Sequence, residues 1–223
     1  MARMPRLVIP HYPHHVTQRG ARRQKTFFSE ADYKTYLDLL ATAKDGVRAD
    51  VWAYCLMPNH VHHVIVPSKE DGLAALFSDA HRRYTRHINF REGWRGHLWQ
   101  ERFHSFVMDE RYLMATVRYI ELNPVRAGLC RKPQDWPWSS ARAHLAGKND
   151  ALVSVQPMLA RVDDWSAYLD RATDRKTADA IRQHTRTGRP TGSDRFLKQL
   201  ESMTGRTIRK RKPGPRRPNN SDK

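Results

Sequence analysis

Val51-Trp52-Ala53-Tyr54-Cys55-Leu56-Met57-Pro58-Asn59-His60-Val61-His62-His63-Val64-Ile65-Val66 is the stretch on which the fold turns. Two β-rich runs flank Pro58-Asn59, and that dipeptide is turn chemistry, so the spacing predicts a hairpin with strands over 51–57 and 60–66. In the second strand the period of two sends His60 and His62 to one face, with Val64 and Val66 behind them, and His63 to the other.

Working outward, His15-Val16-Thr17-Gln18 predicts a strand that stops at Arg19-Gly20. Ser29-Glu30-Ala31-Asp32 can cap a helix whose apolar stripe, Tyr33, Tyr36, Leu37 and Leu40, ends at Gly46. Downstream come a helix over 73–89, a Gly- and Trp-rich loop, a strand over 103–108 and a helix over 111–123, opened by Asp109-Glu110 and ended by Pro124. The order β-α-β-β-α-β-α is that of an α+β, ferredoxin-like split βαβ sandwich, a four-stranded antiparallel sheet with helices on one face. The other face would be free to meet a partner. This unit is expected over 1–130. Residues 131–205 read as a helical extension, with a short helix capped by Ser139 or Ser140, a helix over 165–180 and a last one over 194–203 between Ser193 and Gly205. From residue 206 onward, Arg209-Lys210-Arg211-Lys212-Pro213 and Arg216-Arg217-Pro218 leave no apolar face to bury, so 206–223 is expected to be a disordered basic tail.

The 223 residues hold 40 lysines and arginines against 23 aspartates and glutamates, a formal charge of +17 and a pI of about 10.4. Residues 181–223 carry 13 basic and 3 acidic side chains, so one fifth of the chain supplies more than half of the excess. A polyanion partner follows, because Lys and Arg release condensed counterions from phosphates. No amphipathic basic helix or lipidation signal points to a membrane surface, which leaves nucleic acid as the expected partner. No apolar run approaches the ~18–20 residues that cross a bilayer. Met1-Ala2-Arg3-Met4-Pro5 lacks a signal peptide's apolar stretch, so a cytoplasmic, nucleoid-associated protein is expected. Cys55 and Cys130 form neither a CxxC pair nor a disulfide framework.

Two side-chain sets can do chemistry. His60 and His62 converge on one strand face and can hold a divalent metal with positions open for a substrate oxygen; among twelve histidines, a hydrogen-bonded structural pair fits the same spacing. Tyr119 and Asn123, four apart on a helix, share a face and would present a nucleophile and an oxygen ligand together. Tyr112, seven residues before Tyr119, is the rival nucleophile, and a packing role fits either tyrosine.

Residues 54–62 (Tyr-Cys-Leu-Met-Pro-Asn-His-Val-His), 98–103 (Leu-Trp-Gln-Glu-Arg-Phe) and 118–129 (Arg-Tyr-Ile-Glu-Leu-Asn-Pro-Val-Arg-Ala-Gly-Leu) together resemble the signatures of single-tyrosine HUH transposases. The branch is that of the REP-associated tyrosine transposases, linked to repetitive extragenic palindromes in bacterial chromosomes. The likeness continues through residues 136–142 and 184–190. It implies a metal-dependent nuclease and strand transferase in which Tyr119 forms a 5′-phosphotyrosine, His60, His62 and Asn123 hold Mg²⁺ or Mn²⁺, and no nucleotide cofactor is used. The implied substrate is single-stranded DNA folded into a hairpin, and a monomer is favoured over a dimer. Candidate DNA contacts are Arg19, Arg22 and Arg23 after the first strand, Arg82, Arg83 and Arg86 on the second helix, Arg102, Arg186, Arg189, and Arg209, Lys210, Arg211 and Lys212 in the tail. Thr187-Gly188-Arg189-Pro190 approximates a minor-groove hook. The sequence departs from the family's habit at His63, usually apolar, at Gln18, commonly Asn, and at Glu101, commonly Gly. Two rivals stand beside this reading: a domesticated hairpin-binding protein without productive cleavage, and a hydrolase that uses a metal-bound water in place of the tyrosine.

Overall fold

The computed structural model describes residues 6–171 and 175–209, apart from the side chain of Arg186; Lys210, Arg211 and Lys212 lie outside the described residues. β2 (Asp50–Met57) and β3 (His60–Val66) form the hairpin, antiparallel from Asp50 opposite Val66 to Met57 opposite His60. β1 (His14–Arg19) pairs antiparallel with β3, setting Thr17 opposite His62, and β4 (His104–Val107) pairs with the far side of β1. The order β2-β3-β1-β4 is that of the split βαβ sandwich.

The two long helices α1 (Glu30–Val47) and α2 (Gly72–Glu92) bury their apolar stripes against Val16, Leu56, Val61 and Ile65 on one sheet face. Asp32 accepts from the backbone N–H groups of Phe28 and Ser29 and pairs with Arg91, which joins the start of α1 to the end of α2. Gly46 does not stop α1. The helix runs to Val47 and is capped by Arg48 at φ 51°, since one glycine in a last turn costs only about 1 kcal/mol.

The opposite face is not open, contrary to expectation. α3 (Glu110–Glu121) lies across it, and Leu113, Val117 and Ile120 pack with Ala53, Cys55, Val64 and Phe106. Pro124 does not end the helical path either: Leu122 makes a break, and Pro124 sits in the first turn of the short α4 (Asn123–Arg126), where a missing N–H costs nothing. The extension supplies the rest of the cover through α5 (Ala141–Ala146), α6 (Gln156–Leu159), α7 (Trp165–Asp170) and α8 (Arg175–Thr187). Met158, Trp165, Tyr168, Leu169 and Ile181 join the same core. The single helix expected over 165–180 is thus two described helices, α7 and α8.

The extension also covers both sheet edges, whose unpaired backbone groups would otherwise invite another strand. Beside β2, Leu56 N–H donates to Trp138 C=O, Ser140 N–H to Tyr54 C=O, and Tyr54 N–H to Ser140 Oγ. Beside β4, Thr191 N–H donates to Val107 C=O and Asp109 N–H to Thr191 C=O. Thr187-Gly188-Arg189-Pro190 is therefore no extended hook: Gly188, at φ 66°, returns its N–H to His184 C=O as the cap of α8. Finally α9 (Asp194–Thr204), capped by Ser193 and ended by Gly205, packs Phe196 and Leu200 with Leu7, Ile9, Val107 and Ile208. Burial of Ile208 and the pairing of Arg209 with Glu201 place the first residues of the expected tail on the folded unit. No helix among the described residues is long and apolar enough to cross a membrane.

One buried carboxyl group joins α3 to this extension. Glu121, fully buried, accepts from Ser140 Oγ and His144 Nδ1 at 2.6 Å each on Oε1, and from Trp165 Nε1 at 2.9 Å on Oε2. Glu121→Ala strands three donors from two segments, so it is expected to lower stability by about 3 kcal/mol. Chemical denaturation checks this; a loss below about 1 kcal/mol would show that the cluster does not hold the extension in place.

Candidate active site

His60 and His62 stand on the sheet face that carries α3, with ring centroids 5.0 Å apart. Tyr119, on the sheet-facing side of α3, brings its ring centroid to 6.1 Å from that of His62 at 79°. All three line one cavity of about 520 Å³, together with Thr17, Gln18, Arg19, Arg23, Gln100, Glu101, His104, Arg182 and Thr185. A cavity of about 540 Å³ on the α2 side shares Gln18 and Glu101 with it but contains none of these three groups.

The histidines are set up as neutral donors. Asn59 Oδ1 lies 2.7 Å from His60 Nδ1 and can only accept, so the proton sits on Nδ1 and Nε2 keeps its lone pair. His62 Nδ1 lies 2.9 Å from His15 Nε2, with the two rings stacked at 5.1 Å; a proton on Nδ1, given to His15, leaves Nε2 of His62 free. Burial, aided by Arg19, lowers the pKa of His60 to about 4; burial and the surrounding histidines hold His62 well below its ordinary value. Burial likewise lowers His15 to about 3. At neutral pH none of these rings carries charge.

The family model described as "Transposase IS200 like" matches residues 9–123, just over half of the chain, from the approach to β1 through both histidines and Tyr119. This chain belongs to the IS200-like transposase family. Among relatives of this IS200-like transposase, a candidate REP-associated tyrosine transposase of Haemophilus influenzae is 28% identical over 129 residues, covering 53% of this chain and 67% of its own. The REP-associated tyrosine transposase of Escherichia coli K12 is 24% identical over 126 residues, covering 56% and 74%. A solved REP-associated tyrosine transposase bound to a REP hairpin has the same fold, with a TM-score of 0.54 at 22% identity over 69% of this chain and 92% of that one.

Not every expected residue reaches the site of this IS200-like transposase. Asn123 does not line the cavity. The break at Leu122 separates it from α3, and its Oδ1 accepts from Arg126 at 3.1 Å. Tyr112 is also absent from the wall and lies against His184, with ring centroids 6.3 Å apart. Of the basic candidates, Arg19 and Arg23 line the cavity, while the exposed Arg22 adjoins it in the same turn with Arg22 and Arg23 both at positive φ. Arg82 and Arg102 line the α2-side cavity instead. Arg82 and Arg83 pair with Asp79, and Arg86 is exposed. On the same helix Tyr84, between Arg83 and Arg86, is fully buried and donates its hydroxyl to Thr26 C=O. Arg189 is half-buried after α8, and Arg209 is engaged by Glu201.

Two departures from the family's habit have a structural reading. Glu101 sits at φ 58°, a conformation glycine adopts freely, and Gln18 fixes that loop by donating from Nε2 to the C=O groups of Gln100 and Glu101. His15, Asn59, Arg126 and Arg182 were missed as site residues. The alternation His15-Val16-Thr17 could have placed His15 on the sheet face of His60 and His62; no local signal marks Arg182.

His63 faces away from the site, as its place in the strand requires, and packs near Tyr36 and Phe77 with neither ring nitrogen bonded to a protein partner. Burial lowers its pKa to about 3. The unfolded chain takes up a proton below about pH 6.5 that the folded chain refuses, so His63 destabilises increasingly as pH falls toward 3. His63→Leu is expected to stabilise by about 1–3 kcal/mol at pH 7 and by about 2 kcal/mol more at pH 5. Denaturant titrations at both pH values check this; an equal gain at the two would show that the proton linkage lies elsewhere.

Proposed function

We propose that this protein is a metal-dependent nuclease and strand transferase acting on hairpin-forming single-stranded DNA, with Tyr119 as nucleophile. The observation that carries this reading is the convergence of two neutral imidazoles and one phenol on a single arginine-walled cavity. The hairpin substrate is carried over from the solved relative bound to a REP hairpin. A monomer is favoured, with Tyr119 serving the histidine pair of its own chain.

The donor set fits a divalent cation: His60 Nε2 has its lone pair available, and His62 Nε2 has its own in the tautomer whose Nδ1–H donates to His15. Asn123 could join them only by giving up its bond to Arg126. The ion, Mg²⁺ or Mn²⁺ on the family resemblance, would polarise the scissile phosphate. In the reaction the Tyr119 oxygen bonds to phosphorus and the bond from phosphorus to the 3′ oxygen breaks. The phenolic proton leaves to water and the 3′ oxygen takes one up, which leaves a 5′-phosphotyrosine and a free 3′-hydroxyl. Attack by a 3′-hydroxyl on that ester rejoins strands without a nucleotide cofactor.

Mixed with labelled single-stranded hairpins from the flanks of its own gene, the protein is expected to form a denaturation-resistant adduct in Mn²⁺ and none in chelator. Tyr119→Phe should abolish the adduct and leave hairpin binding nearly unchanged, because it removes the nucleophile and no cationic group. Tight binding without any adduct, across several metals and flanks, would instead establish a binding protein that does not cleave. Truncation after Arg209 should reduce the salt dependence of binding, by about 0.7 in the logarithmic slope for each single-strand phosphate that the tail neutralises. An unchanged slope would mean that the tail does not touch phosphate.

A further inference from the structure

The stretch matched by the family model ends at residue 123, yet the cavity does not end with it. Its wall is completed by Arg182 and Thr185 of α8, which are three residues apart and so share a helix face. α8 is placed by the core, because Ala178 and Ile181 are buried with the residues of α3. Ile181, directly before Arg182, is 1% exposed, so the backbone at Arg182 is fixed while its guanidinium remains accessible to a ligand.

Two arginines approach Tyr119, and they do different things. Arg126 stacks on the ring with Cζ 4.0 Å from its centroid and donates to Asn123. Arg182 stands farther out, with Cζ 6.0 Å from the centroid, and Asp179 takes one of its five donors at 2.9 Å. The other cations in the wall, Arg19 and Arg23, leave β1 and its following turn, and Arg19 acts on His60. The cavity thus carries one arginine near His60, Arg19, and another near Tyr119, Arg182.

We infer that Arg182 is an active-site residue, supplied by the C-terminal extension, that holds the phosphoryl group at Tyr119 while the bond between them forms and after it has formed. The inference rests on Tyr119 being the nucleophile. As the phenol attacks, negative charge grows on the non-bridging oxygens, and the planar fork of Arg182 can supply two parallel N–H donors to them. A lysine supplies the charge without the fork. Interaction with the Tyr119 side chain, ahead of that with Asp179, raises the Arg182 pKa, in keeping with its place beside the phenol.

Two measurements on the full-length protein test this. In chelator, where no cleavage is expected, a short labelled single strand is titrated with and without a 5′-phosphate. The phosphate should tighten binding about tenfold in the unaltered protein; Arg182→Lys should keep part of that gain and Arg182→Ala should lose it. A gain of equal size in Arg182→Ala, or none in the unaltered protein, overturns the inference whether or not the protein cleaves. In Mn²⁺, with hairpin and protein at saturating concentration, Arg182→Ala should slow adduct formation on the order of 100-fold, and Arg182→Lys should recover part of the rate. Adduct formation by Arg182→Ala at the unaltered rate also overturns it. If the unaltered protein forms no adduct, the tyrosine mechanism fails, and the phosphate titration alone decides whether Arg182 is an anion-holding residue of this cavity.

Discussion

Glu121 is the constraint on which the arrangement of the histidine–tyrosine cavity depends. It closes α3 two residues after Tyr119, and its buried carboxyl group accepts hydrogen bonds from Ser140, His144 and Trp165. A carboxyl group in an apolar interior is tolerated only when its oxygens are satisfied, and here the satisfying donors all come from the extension. The position of the tyrosine helix over the sheet is thereby coupled to the folding of residues 140–165. Stacking of His144 on Trp165, at 4.5 Å, holds two of those donors against each other.

The same economy runs through the sheet. Residues 138–140 pair with β2 and Thr191 pairs with Val107 and Asp109, so the two edges are covered by segments that also carry cap and core residues. The histidine-bearing strand β3 lies between β2 and β1, so neighbours on both sides set its register. The rings of His60 and His62 inherit that rigidity; Asn59 fixes the tautomer of His60, and His15 orients the ring of His62.

The hairpin was legible in the sequence because a period of two interrupted by Pro58-Asn59 has few other solutions, and it placed His60, His62 and His63 on their faces. Three motifs in order singled out Tyr119, where one tyrosine among eight could not. Asn123 stands outside the cavity wall: helical spacing assumes an unbroken helix, whereas Leu122 interrupts it. The covered second face was missed for another reason. α5, α6 and α7 are four to six residues long, too short to show a period, and what they bury is set by strands about a hundred residues earlier. Arg182 is invisible for the same cause: an arginine on an amphipathic helix reads as solvated until the helix is docked.

The lock on α3 has a consequence for the order in which the protein is made. A ribosome that has released residues 1–130 has already delivered both histidines, Tyr119 and the whole four-stranded sheet. It has not yet delivered Ser140, His144 or Trp165, nor the segments that cover the sheet edges. The nascent chain thus carries the motifs at 54–62, 98–103 and 118–129 while the carboxyl group that closes its tyrosine helix still lacks all three donors. Copies shortened by a premature stop before Ser140 stay in that state, with the tyrosine present and the buried carboxyl group beside it unsatisfied.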